Sequence, residues 1–407
     1  MEKTRNIYDH LIICMIALLA FGNVGGALQP IRIFFISCIP FTLIYFLIRP
    51  GEREKIQYEK FFFLFWALWA VVSLLWVENT DNSIKNLLYL SVNFSILFTI
   101  IYLSNKANNP QESIIWGWTL LLLLTFPIAI FELLFNIHLP STYHDSMTEM
   151  HYNTITNRSF ASVTFGNLNG YNIVLCYVFP FVSGAIAHKQ LFKKKTILFI
   201  TLASLVALLI IWNGSRAAVL SLITGLVLFY IYYPKEKEHT GMIIITISLV
   251  IGAIFLLMFK DTFQVILVRF QEQGFQDVGR TENISSGFDA LLNSSLLGVG
   301  VGNYETVMEE KYGLTYINPH NMLLEIVVQY GIFVFLGFLI FLFRILRRAQ
   351  NNIKENKALI LVGLGMLPFA MIIDSAYLLS SSMWVFLSSL YIFSAARYNP
   401  TKERVDI

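Results

Sequence analysis

Charge is scarce in this chain. Asp, Glu, Lys and Arg make up 14% of 407 residues, where a soluble domain carries roughly a quarter. That excludes an ordinary water-soluble fold. Cysteine is scarcer still: Cys14, Cys38 and Cys176 are odd in number, lack a C-x-x-C spacing and fall inside apolar segments. Neither a disulfide framework nor a cysteine zinc site is expected, and the three read as packing residues. The seven histidines form no H-x-x-x-H pair, so no metal is expected from them either. No D-x-D occurs. The net charge of +3 is sorted along the chain rather than pooled in a patch, and nucleic acid is not an expected partner.

What is present is apolar. Hydrophobic residues make up 56% of the chain, with 35 Phe and 19 Tyr. Runs of about 18 or more recur, each long enough to cross the ~30 Å hydrocarbon layer as a helix. The expected fold is all-α: one integral membrane domain over 1–407, a bundle of about 12 transmembrane helices. The spans read as roughly 10–27, 31–48, 61–77, 84–103, 114–136, 166–187, 196–212, 215–233, 242–259, 322–343, 358–374 and 377–395. The N-terminal run ends in Gly25-Gly26-Ala27 without a cleavage site and reads as a retained first span. Twelve crossings put both termini on one side. The tails and alternate connections of that side hold 21 of the 29 Lys and Arg, so the expectation is termini in the cytoplasm.

Two connections on the opposite side are long, 137–165 and 260–321, and long loops in a compact protein usually carry function. In the second, Phe263, Ile266, Leu267 and Phe270 recur at helical spacing, as do Ile284, Phe288, Leu291 and Leu292. Short amphipathic helices at the membrane surface or over a cavity are expected there.

The polar residues that could do chemistry fall at these outer ends. Arg216 follows Asn213-Gly214-Ser215 and opens the eighth span; on position alone it also fits an anchoring arginine at a helix end. Arg280 lies in the larger loop and Arg158 in the smaller, where a solvated loop charge is the plainer role. A guanidinium matches phosphate oxygens with paired donors and stays charged. His320, in Pro319-His320-Asn321, precedes the tenth span, where the positive end of the helix dipole favours the neutral imidazole. Such a ring can accept a hydroxyl proton, although a structural cap is the commoner use. Gly298-Val299-Gly300-Val301-Gly302 reads as a tight turn whose N–H groups could face a phosphate. Glu132, Glu325 and Asp374 stand near outer helix ends as weaker candidates.

Taken in order, these pieces resemble the O-antigen ligase and O-antigen polymerase superfamily of bacterial envelope enzymes. The resemblance rests on Asn213 to Ala218, Gly279-Arg280, Leu296 to Tyr304, Pro319-His320-Asn321 with Leu324-Glu325, Tyr330-Gly331, and Gly166 to Gly170. It covers 200–345 most closely. It implies a glycosyltransferase of the bacterial cytoplasmic membrane, with its active site at the outer face and undecaprenyl-diphosphate-linked glycan as donor. It also implies inverting, metal-independent transfer without a cofactor. Arg216 and Arg280 would engage the diphosphate and His320 would activate the acceptor hydroxyl. Arg158, Asn321, Gly298, Gly300 and Glu325 are expected to contact substrate. The lack of D-x-D, and of any acid between Phe21 and Pro30, suits arginines in place of a metal.

Polymerase and ligase share this chemistry and differ in the acceptor; polymerase is the preferred expectation. A chain-length regulator and a flippase are conceivable partners beside the donor, the acceptor glycan and the bilayer. A flippase for the same lipid is the competing class. The nearly charge-free middles of the spans argue against it, and no repeat between the halves supports a transporter. A non-catalytic scaffold would leave the Arg and His placement unexplained.

Overall fold

The computed structural model describes residues 4–37, 40, 57–142, 159–192, 195–233, 278–315 and 317–396. The described residues are helical with no strand. The principal helices are α1 (Ile7–Ala17), α2 (Gln57–Ser73), α3 (Thr80–Lys106), α4 (Pro110–Phe135), α5 (Leu168–Ala187), α6 (Thr196–Asn213), α7 (Arg216–Tyr232), α8 (Val278–Asn293), α9 (Tyr304–Glu310), α10 (Met322–Gln350), α11 (Lys354–Ala370) and α12 (Ser381–Ala395). Five of them, α3, α4, α5, α6 and α10, are long and apolar enough to cross a membrane.

The span expected at 242–259, Arg158, and the helical spacing at Phe263 to Phe270 lie outside the described residues. Of the span at 31–48, residues 30–37 are helical. Elsewhere each expected span coincides with a helix, and the boundary shifts have causes. The first helix tightens to a 3-10 turn over Leu18–Phe21 and stops at Gly22, where an added Cβ would strike Thr164. The last begins at Ser381 rather than 377. Its 15 residues give only ~22 Å of helix at 1.5 Å per residue, and the preceding 371–380 is largely irregular chain.

Helices α5, α11 and α7 form one packed layer, with α6 against α5 and α1 against α4. Glycines allow close approach, as small residues do between membrane helices: Gly225 faces Met366, Gly184 faces Leu359, and Gly365 faces Leu228. A second cluster joins α2, α3, α10 and α12 through rings. Trp66 lies 5.2 Å from Phe94, 5.4 Å from Tyr330 and 5.9 Å from Trp384, centroid to centroid.

Contacts sort the helix ends onto two ends of the bundle. At one, Arg5 pairs with Glu112 at 2.6 Å, and buried Glu59 is 3.3 Å from Arg344 and 3.1 Å from Arg348. Asn352 donates there to Phe393 O at 2.8 Å, and Lys357 lies over Tyr232. At the other, Asn23 donates to Thr164 O at 2.6 Å, Glu132 accepts from Ser162 and Val163, and Asn213 bonds Ala161 on both sides. Trp76 donates to Gly298 O at 3.0 Å and Met322 to Met371 O at 3.0 Å in that same end. Arg216, Arg280 and His320 therefore lie toward this second end.

Helix α10 is broken at Gly331, whose backbone (φ 80°, ψ 179°) is not helical. A break strands the carbonyls of the preceding turn. Val299 N–H donates to Val328 O at 2.8 Å and Gly300 N–H to Gln329 O at 2.9 Å, while Ile332 N–H donates to Leu296 O at 3.0 Å. The glycine turn splints the kink. A Cβ on Gly298 would lie 2.6 Å from Gln329 O, and one on Gly331 would lie 2.5 Å from Leu296 O. Gly331→Ala is expected to lower stability by about 1–3 kcal/mol from backbone strain alone. This is read as a lower unfolding temperature of the detergent-solubilised protein; an unchanged temperature contradicts the splint.

Candidate functional site

The described part of the larger loop is a small subdomain on the first turns of α10. Ala290 and Leu291 of α8, Val299, and Tyr304, Val307 and Met308 of α9 enclose Leu324, Val327 and Val328. The expected amphipathic helix at Ile284 to Leu292 is α8. Leu291 is buried, whereas Ile284, Phe288 and Leu292 make an exposed stripe at i, i+4, i+8. The stripe fits an apolar environment, and the opposite face holds the loop to the bundle.

Arg280 is in the first turn of α8, and its Nη1 donates to Ile372 O at 3.1 Å. One turn on, fully buried Asn283 donates from Nδ2 to Asn318 O at 3.2 Å, tying α8 to the Pro319-His320-Asn321 segment. The Tyr304 hydroxyl donates to Asn283 at 3.3 Å. Burial raises that phenol further above its ordinary value, so it remains a donor. From the other side, Met322 N–H donates to Met371 O at 3.0 Å. Two successive carbonyls, of Met371 and Ile372, thus hold the start of α10 and the Arg280 guanidinium.

Helix register brings Arg216 to the same height. Asn213 is buried and fixed to Ala161, Gly214 ends α6 with a left-handed backbone, and Ser215 leads into α7 with Arg216 first. Ser221 Oγ donates to Met366 O at 3.1 Å, and Lys357 Nζ lies 6.0 Å from the Tyr232 ring centroid. The two helices are therefore antiparallel. Five residues back from Ser221, ~7.5 Å along the axis, Arg216 is level with Met371.

His320 is 9% exposed and holds a left-handed backbone, φ 40°. Outside glycine that conformation is uncommon and tends to mark sites that function over-determines. The following Asn321 caps α10, its Oδ1 accepting from Leu323 and Leu324 N–H at 3.0 and 3.2 Å.

Other expected contacts take different places. The turn at Gly298 and Gly300 offers its N–H groups to the protein. Gly298 donates to Ser294 Oγ, Gly300 to Gln329 O, Val301 to Ser73 Oγ and Gly302 to Gln329 Oε1. A phosphate cradle there is replaced by the α10 splint. Asn321 has its carbonyl oxygen taken up as a cap. Glu325 is buried at 4% exposure and turns inward, where Oε2 accepts from Tyr377 N–H at 3.1 Å. It pins the 371–380 segment rather than facing substrate. Glu325→Ala strands that buried N–H, a loss of about 1–3 kcal/mol, whereas Glu325→Gln keeps an acceptor. Thermal unfolding of both variants checks this, and equal losses would contradict it. Glu132 similarly accepts from Ser162 and Val163 N–H at 2.7 and 2.8 Å and holds the smaller loop. Cys14 is exposed rather than packed, and Cys176 is buried. Among the described residues no His, Cys, Asp and Glu cluster could hold a metal.

Sequence reasoning passed over the Met371–Ile372 junction, because Ile372-Ile373 reads as the continuation of an apolar span. Asp374-Ser375, a polar pair inside that run, was the available signal.

Comparison with known proteins bears on the same stretch. Residues 200–339 match the family model described as O-antigen ligase. The chain is 24% identical over 294 residues to the teichuronic acid biosynthesis protein TuaE of Bacillus subtilis (strain 168), across 68% of this chain and 58% of that protein. The chain thus spans a little over half the length of that relative. The matched residues contain α7, Arg280, the glycine turn and His320, and they reach into α6 and α10, two of the helices long and apolar enough to cross a membrane. Through residues 200–339 the chain is similar to the O-antigen ligase family, and more widely to a protein of polysaccharide biosynthesis.

Proposed function

We propose that this protein is a membrane glycosyltransferase that polymerises undecaprenyl-diphosphate-linked oligosaccharide repeats at the outer face of the cytoplasmic membrane. The observation that carries the reading is the anchoring of Arg280 and of the segment after His320 to adjacent carbonyls, with Arg216 level with them. In this reading the chain has twelve spans, both termini are in the cytoplasm and this end faces outside; Arg344, Arg347 and Arg348 at the opposite end support that orientation.

In this reading the acceptor hydroxyl attacks the anomeric carbon of the donor sugar. The bond from that carbon to the diphosphate oxygen breaks and its electron pair leaves with the diphosphate. Attack from the far side inverts the anomeric centre. The hydroxyl proton passes to the His320 ring as the new glycosidic bond forms. Arg280 and Arg216 meet the charge that grows on the departing diphosphate, and donors placed before the reaction need no reorganisation. Arg158, in the smaller loop, is a further candidate cation for the same group.

The second reading is a ligase that transfers finished chains to lipid A core or another anchor, favoured by the description of the matched family as O-antigen ligase. Deletion of the gene followed by gel analysis of the surface glycan tests the choice. Single repeats on the lipid carrier support polymerisation. Full-length chains stranded on the carrier support ligation and overturn the polymerase.

A further inference from the structure

A cavity of about 240 Å³ adjoins the proposed transfer centre without including Arg216, Arg280 or His320. One wall is the turn after α1 with the start of the 30–37 helix. The other is Asp374 to Ser382, which begins two residues past the carbonyl that holds Arg280. Arg32 stands between the walls. Its Nη1 donates to Gly26 O at 3.3 Å, its Nη2 to Leu379 O at 3.2 Å, and its guanidinium lies 4.3 Å from the Tyr89 ring centroid. Five N–H groups leave this cation with donors beyond those two.

The rest of the lining is mixed: Leu19, Ile31, Phe165, Ile173 and Val174 give an apolar side, and hydrogen-bonding groups with one acid give the other. Asn23 and Gln29 bring amides, Ser380 and Ser382 bring hydroxyls, and Asp374 a carboxylate. The wall is fixed from behind: Asn93 donates to Leu378 O at 2.8 Å and accepts from Ser381 Oγ at 3.1 Å. A phosphate or diphosphate is a poor occupant, because Asp374 offsets the single cation. A lipid tail is poorer, because it would leave Arg32, Asp374, the amides and the hydroxyls facing it without hydrogen-bond partners. A sugar residue fits, with hydroxyls that both donate and accept. The volume falls below the ~300–1,000 Å³ of drug-sized ligand pockets, so one sugar ring is admitted rather than a chain.

We infer that this cavity is a glycan subsite beside the transfer centre, holding one sugar residue of the substrate between Arg32 and Asp374. The inference rests on the glycosyltransferase reading above. The probe is the free repeat oligosaccharide, released by mild acid from the surface glycan of the source organism and added to the intact protein in lipid nanodiscs. Hydrogen–deuterium exchange is expected to show protection over 19–32 and 374–382. Arg32→Ala should weaken binding about 10- to 100-fold, the range for one charged hydrogen-bonding group, and Arg32→Lys should recover part of it.

In turnover assays Arg32→Ala should raise KM for the lipid-linked repeat far more than it lowers kcat. Protection confined to other segments, or equal binding by the wild type and both Arg32 variants, overturns the subsite. Because binding of the free oligosaccharide requires no transfer, that failure is distinct from failure of the enzyme reading. The latter shows as full product in an Arg280→Ala strain.

Discussion

Replacing His320 by alanine is expected to lower product formation by about 10²- to 10⁴-fold, the usual contribution of a positioned general base. Immunoblots of membrane fractions should still show the protein inserted at normal level. The backbone supplies a control that few sites offer. At φ 40° a side chain with a Cβ is strained, by about 1–3 kcal/mol, and glycine is not. His320→Gly should therefore unfold at a higher temperature than His320→Ala while being equally inactive. Near-normal activity in either variant would remove His320 from the chemistry. Glycine no more stable than alanine would contradict the strained backbone.

Arg280→Ala is expected to reduce transfer by about 10²- to 10³-fold, as loss of one charge-stabilising donor does. The structural loss includes the bond to Ile372 O, worth about 0.5–1.5 kcal/mol. Arg280→Lys should recover only part of the activity, because an ammonium keeps the charge without the planar fork that grips two phosphate oxygens. Membrane vesicles supplied with lipid-linked repeats give the rates. Equal activity of the lysine and arginine proteins would assign position 280 a plain electrostatic role. Full activity of the alanine protein would remove it from the site.

Sequence pattern located the helices well because long apolar runs leave little choice: once a segment must cross hydrocarbon, its backbone must bond within itself. Charged residues that mark helix ends in the sequence, Arg5 with Glu112 and Glu59 with Arg344 and Arg348, also pair there in the fold. The small polar side chains were harder to read. Asn321, Glu325 and the N–H groups of Gly298 and Gly300 looked like ligand contacts; they hold a helix cap, a buried pin and a kink. A short-range pattern cannot show which buried backbone groups need a partner, and that need comes from breaks such as Gly331 and the irregular stretch after Ala370. The pairing of Arg280 with Ile372, 92 residues away, and the cavity around Arg32 exist only in the folded chain.

The most direct measurement of the central claim is a cryo-electron microscopy structure of the intact protein in nanodiscs with undecaprenyl diphosphate. The account predicts the diphosphate beside the Met371–Ile372 junction, with the Arg216 and Arg280 guanidiniums within hydrogen-bond reach, about 3 Å, and His320 facing the site of attack. Diphosphate bound at the opposite end of the bundle, or out of reach of both arginines, would contradict it.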